Sequence, residues 1–176
     1  MKGINLSFSA CGFLGIYHLG AASALCRHGQ KLLKDVQAFA GASAGSLVAS
    51  VLLTAPEKLE VLCASSFVPI YAGLRAVEYR GQKWVDGGLT DSLPILPGGR
   101  TVTVSPFTGR LDISPQDDGR LGSYVRVANQ DVLVSPGNLV RLSHALFPPS
   151  RREMESLHQR GFEDALRFLR RENWFE

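Results

Sequence analysis

Apolar and polar residues alternate from Ile4 to Ser9, with Ile4, Leu6 and Phe8 on one side, which predicts an opening β-strand. Ala10–Gly15 is built of small and glycine residues and reads as a tight loop. The spacing then changes to threes and fours. Ile16, Leu19, Gly20, Ala22/Ser23 and Cys26 set out a helix over Ile16–Arg27, and Gly29 stands where helices commonly stop. A short apolar run, Val36–Ala40, predicts a second strand. Ala44–Thr54 predicts a helix apolar on most faces, which Pro56 ends. Strand and helix alternating in this way predict an α/β domain with a mainly parallel sheet.

The remainder is less regular. Glu57–Phe67 reads as a helix limited by Pro69. Val77–Tyr79 and Lys83–Val85 flank Arg80-Gly81-Gln82 as the two arms of a hairpin, and Asp86-Gly87-Gly88 follows at once. Thr101–Val104 alternates as a strand, and Pro106–Gly119 is rich in turn formers. Asn138–Leu146 reads as a helix closed by Pro148-Pro149. Arg151–Arg171 reads as a final helix whose Met154, Leu157, Gly161/Phe162, Ala165/Leu166 and Leu169 form one stripe.

Composition narrows the classes. At 176 residues, 45% apolar and 20% charged, the chain can fold as one domain over 1–176 without disulfide or metal support. A net charge of +3 gives no footprint for nucleic acid, and arginines concentrate only in the last helix. Those arginines could touch anionic lipid, although the helix's apolar stripe reads first as a core face. Cys11, Cys26 and Cys63 have neither disulfide-framework nor zinc spacing, so reduced thiols and an intracellular setting are expected. Gly3–Cys26 and Val36–Pro56 are uncharged and long enough to span a bilayer, but their serines and glycines keep them below the hydropathy of a true span or signal core.

Chemistry centres on Val36-Gln-Ala-Phe-Ala-Gly41-Ala42-Ser43-Ala44-Gly45, a strand, then G-x-S-x-G, then a helix. In that context the pattern is a nucleophile elbow, with Gly41 and Gly45 allowing a sharp turn that exposes the Ser43 hydroxyl at a helix N-terminus. A glycine-rich turn without chemistry is the alternative. Acyl transfer also needs donors for an oxyanion, and Cys11-Gly12-Phe13-Leu14-Gly15, between strand and helix, can aim several backbone N–H groups into one space. That loop lacks the ending of a P-loop, so nucleotide binding is not indicated. For a base, Ser43, Asp86 and His144 follow a hydrolase triad's chain order, but only one predicted strand precedes the elbow, and His144 reads as a helix-surface residue. Asp86, after a short strand and before Gly87-Gly88, is the better partner, working directly on serine only where water is excluded. An Asp-Gly-Gly turn is the competing explanation.

Loop, G-x-S-x-G and D-G-G in this order resemble the patatin-like phospholipases. The runs Phe8–His18, Ser65–Leu74, Trp84–Pro94, Val104–Gly109 and Asn138–Pro149 resemble their adiponutrin-type subgroup. The resemblance implies a three-layer α/β sandwich and a Ser43–Asp86 dyad, with Cys11–Gly15 as the oxyanion hole. It implies no metal and no organic cofactor. It further implies hydrolysis of lipid esters (triacylglycerol, retinyl ester, phospholipid), with transacylation when an alcohol replaces water. A lipid droplet or membrane surface, in the cytoplasm or at mitochondria, would be the place of work. Three departures stand out. Ala10 replaces a loop glycine and Leu14 a residue that is basic in many relatives. The Ser43–Asp86 interval is also shorter than in the family, with the join between about 60 and 63, so the alternative is an incomplete sheet and a catalytically inactive short form or lipid-surface protein that keeps the family motifs.

Overall fold

A computed structural model describes residues 3–56, 91–117 and 122–176, together with the backbone of 77–79 and 82–84. The expected helix at Glu57–Phe67, the join near 60–63 and Asp86-Gly87-Gly88 lie outside the described residues.

Strand β1 (Ile4–Phe8) forms the middle of a parallel three-stranded sheet, between β2 (Val36–Gly41) and β5 (Arg100–Val104). Leu6 pairs with Phe39 and Val102, and Phe8 with Gly41 and Val104. Helix α1 (Gly15–His28) follows β1, a short α2 (Gln30–Asp35) precedes β2, and α3 (Ala44–Thr54) follows β2. Parallel order and interleaved helices make this an α/β fold, as the alternation predicted. β3 (Val77–Tyr79) and β4 (Gln82–Trp84) pair antiparallel, Val77 opposite Trp84, one residue earlier on the second arm than the reading of Lys83–Val85.

The core lies between sheet and helices. Leu6, Phe8, Val102 and Val104 meet Tyr17, Leu25, Ala165, Phe168 and Leu169, all at 1% exposure or less. The last three come from α5 (Arg151–Arg171), which packs along α1. A side chain at Gly20 would strike the His158 carbonyl and one at Gly161 the Tyr17 carbonyl, so these glycines set how closely the two backbones approach. Tyr17 Oη donates to Asp164 Oδ2 at 2.7 Å, and Arg167 also pairs with Asp164. Burial drives the Tyr17 phenol above its ordinary pKa, so it stays a donor. The capping box of Ser150 and Glu153 starts α5.

Two elements escape the sequence pattern. α2 is six residues long with Leu32 its one buried residue, too short for a helical period to register. The hairpin of β6 (Tyr124–Val127) and β7 (Gln130–Leu133) turns at Ala128 and Asn129, φ 41° and 71°. Alanine at positive φ is no turn signal, and β6, exposed along its length, shows no alternation. Helix α4 (Pro136–Leu146) starts two residues before Asn138, with Ser135 accepting from the Asn138 amide as its cap. No helix among the described residues is long and apolar enough to cross a membrane.

Candidate active site

Between β2 and α3 the chain reverses over Ala42 and Ser43. Ser43 adopts φ 51° and ψ −124°, a conformation costly for a residue with a side chain, and caps the N-terminus of α3. Neighbouring contacts hold it there. Ala42 N–H donates to the Phe8 carbonyl (3.1 Å), and the Ser43 carbonyl accepts from Ser46 N–H (3.0 Å) and Ser46 Oγ (2.6 Å). Gly41 and Gly45 are each other's neighbours across the turn. A Cβ on Gly41 would overlap the Gly45 backbone, and one on Gly45 would overlap the carbonyls of Phe8 and Ser9. Both glycines of G-x-S-x-G are therefore demanded by backbone packing, which presses the turn onto the end of β1. Ser43 itself is half-buried.

The Cys11–Gly15 loop adjoins this turn. It contains a 3-10 turn, Gly12–Leu14, with Gly12 at φ 53°, and a Cβ on Gly15 would stand 3.4 Å from the Ala44 Cβ. Leu14 N–H donates to Cys11 O at 3.0 Å and Gly15 N–H to Gly12 O, while Ala10 N–H donates to Ser92 O at 2.7 Å. Two of the five amides read as oxyanion donors, those of Leu14 and Gly15, are thus committed to the turn. Gly12 and Phe13 keep N–H groups without a backbone acceptor among the described residues. Cys11 and Leu14 are buried and anchor the loop; Gly12 is exposed.

The structure therefore brings Ser43, Gly41, Gly45 and the Cys11–Gly15 loop together at the C-terminal ends of β1 and β2. Asp86, Gly87 and Gly88 lie outside the described residues. His144 Nε2 stands 3.5 Å from the Glu153 carboxylate, in keeping with its reading as a helix-surface residue.

His18 is one of the four histidines of the sequence, which offers no reason to single it out. It is fully buried, and its Nε2–H donates to the Ser9 carbonyl at 2.8 Å, the carbonyl on which Gly45 packs. Burial outweighs that bond and pushes the imidazole down to about 4, so it is neutral near pH 7. Its ring meets Phe8 edge-on at 5.3 Å. His18 thus fixes the backbone beneath the elbow; no sequence signal marks a histidine whose partner is a main-chain oxygen.

Beside the elbow a shallow groove of about 300 Å³ is lined by Phe39, Gly41, Ser46, Ala49, Leu53 and Pro94. Among the described residues, no group of three His, Cys, Asp or Glu side chains is placed to hold a metal ion.

The patatin-like phospholipase family model matches residues 6–60, the stretch from β1 through the loop and elbow to the end of α3. The chain is 54% identical to human patatin-like phospholipase domain-containing protein 4, over 253 aligned positions covering all of both chains. It is 30% identical to bovine patatin-like phospholipase domain-containing protein 2, over 95% of this chain and 50% of that protein. It is 38% identical to human omega-hydroxyceramide transacylase, over 73% of this chain and 24% of that protein. No solved structure matches it. With elbow, loop and sheet order already in place, these likenesses settle the ancestry: the chain belongs to the patatin-like phospholipase family of lipid ester hydrolases.

Proposed function

We propose that this protein is a serine acyl hydrolase of lipid esters in which Ser43 is the nucleophile and Asp86 its base. The observation that carries the reading is the strained Ser43 backbone, φ 51° and ψ −124°, held at the N-terminus of α3 beside a loop whose Gly12 and Phe13 amides have no backbone acceptor among the described residues. Ser43 Oγ attacks the ester carbonyl carbon while Asp86 takes the hydroxyl proton. The carbonyl oxygen becomes an oxyanion within reach of the Gly12 and Phe13 amides and the positive end of α3. The tetrahedral intermediate collapses, the alcohol leaves with the proton, and an acyl-Ser43 ester remains. Water attacking that ester releases the fatty acid; an alcohol attacking it gives a new ester, which is transacylation. Phe39, Ala49 and Leu53 beside the elbow offer apolar contact to an acyl chain. Triacylglycerol, phospholipid and retinyl ester are the expected substrates, met at a droplet or membrane surface.

One observation favours a second reading, an inactive short form. Alignment with the human relative needs 253 positions where this chain has 176 residues, so that relative carries sequence without a counterpart here, which we place between about 60 and 63. A fluorophosphonate probe separates the two. Labelling lost in Ser43→Ala, and short-chain ester turnover lost in Asp86→Asn at an unchanged unfolding midpoint, support the enzyme. Absence of labelling in the folded wild type supports the short form, and Asp86→Asn turning over at the wild-type rate removes Asp86 from the mechanism.

A further inference from the structure

Helix α4 is inside out. Asn138, Arg141 and Ala145, three and four residues apart, face the protein: Asn138 is buried, Arg141 grips Asp117, and the Ala145 carbonyl lies against Gly12. The opposite side carries Leu139, Val140, Leu142, Leu146 and, just past the helix, Phe147, all between 49% and 69% exposed. An exposed apolar stripe of this size marks an interaction surface rather than scatter.

We propose that this face of α4 is the surface by which the protein lies on lipid, its apolar residues among the acyl chains and the Cys11–Gly15 loop beneath it; the proposal rests on the lipid-hydrolase reading. Charge selects the occupant. α4 has no carboxylate, its Arg141 is already neutralised by Asp117, and the chain leaving it presents the exposed Arg152 beside Arg151, which pairs with Glu155, while Glu153 stands against His144 of α4. An apolar strip free of carboxylates, with the Arg152 guanidinium at its rim, matches a phospholipid interface carrying anionic headgroups, where apolar area supplies most of the binding and headgroup charge adds to it. Position agrees: α4 is fastened to the loop that flanks Ser43 through the Ala145–Gly12 contact, so docking by this face brings the candidate site to the interface from which an ester is drawn.

The test is flotation of the full chain with vesicles of phosphatidylcholine and phosphatidylserine. Wild type and Ser43→Ala should float alike, since docking needs no chemistry. The combined variant Leu142→Asp, Leu146→Asp, Phe147→Asp should lose about tenfold or more of its partitioning. Ile95→Asp with Val127→Asp, exposed apolar positions elsewhere, should float like wild type. The α4 variant must keep its circular dichroism and unfolding midpoint; should it fail to, Leu139→Ser with Leu142→Ser, the smaller change, carries the same expectation. Failure of the wild type to float, or equal flotation of the α4 variants, overturns the proposal. A wild-type dimer in sedimentation that the α4 variants dissociate also overturns it, making the stripe a self-association face. Flotation without fluorophosphonate labelling sinks the catalytic reading and leaves the docking face standing; labelling without flotation does the reverse.

Discussion

Two helices nearly adjacent in the chain, α4 and α5, carry apolar stripes of the same helical period and turn them in opposite directions. α5 buries Ala165, Phe168 and Leu169 against α1 and, apart from the buried Asp164, gives its charges to solvent. α4 buries Asn138 and shows its leucines outside. Polar chemistry makes the difference. Asn138 Nδ2 donates to the carbonyls of Thr108 (2.8 Å) and Leu133 (2.7 Å), and its Oδ1 accepts from Thr108 N–H (2.9 Å). Arg141 forks onto Asp117 at 2.9 and 2.7 Å. An apolar stripe therefore says that a helix has two sides; what fixes the inner one is whether the facing surface offers aliphatic groups or main-chain donors and acceptors.

The contrast is sharpest in stability. Phe168→Ala should cost about 3–5 kcal/mol in urea unfolding, because a filled space between α1 and the sheet empties. Asn138→Ala should cost about 1–3 kcal/mol, since the Thr108 amide and two carbonyls lose their partner. A Phe168→Ala loss no larger than that of Asn138→Ala would show that the two helices are held by forces of one size.

Acid separates the two regions further. His18, on the α1 side, is held down to about 4, so below its ordinary 6.5 the unfolded chain takes up the proton first. Stability should then fall as pH drops from about 6.5 to 4, by at most about 1.4 kcal/mol per pH unit. Asp117, on the α4 side, is held down to about 2 by its bonds to Arg141, with Ser135 adding to them. Its contribution is complete above the ordinary 3.8 and is lost as pH falls toward 2. Unfolding midpoints measured from pH 8 to 2 should show both windows, with His18→Gln flattening the upper and Asp117→Asn the lower. The smallest effect is expected outside: Leu142→Ser should move stability by less than about 0.5 kcal/mol, because its side chain is 49% exposed.

How much of this was readable from residues alone follows the same division. β1, α1 and α5 were legible because each repeats a period long enough to show and buries the stripe that the period marks, and β2 and α3 because they are apolar runs on either side of a glycine-rich turn. α2 and the β6–β7 hairpin were not, one for length and the other because its turn uses Ala128 and its outer strand faces water on both sides. The extent of α4 was nearly right while its orientation was invisible, since the partners of Asn138 and Arg141 lie 24 to 33 positions away as well as nearby. At the candidate site the spacing of Gly41, Ser43 and Gly45 marked the sharp turn that lies between β2 and α3. The bonds that leave only some of the Cys11–Gly15 amides available depend on a 3-10 turn that composition does not announce.

The close seam between α1 and α5 also has a consequence for birth. A ribosome delivers Tyr17 long before Asp164, 147 positions later, so the greasy flank of the first helix must wait, uncovered, for its partner to be made. Such distant closure is slow, and a nascent chain left open in this way invites aggregation or a chaperone's grip.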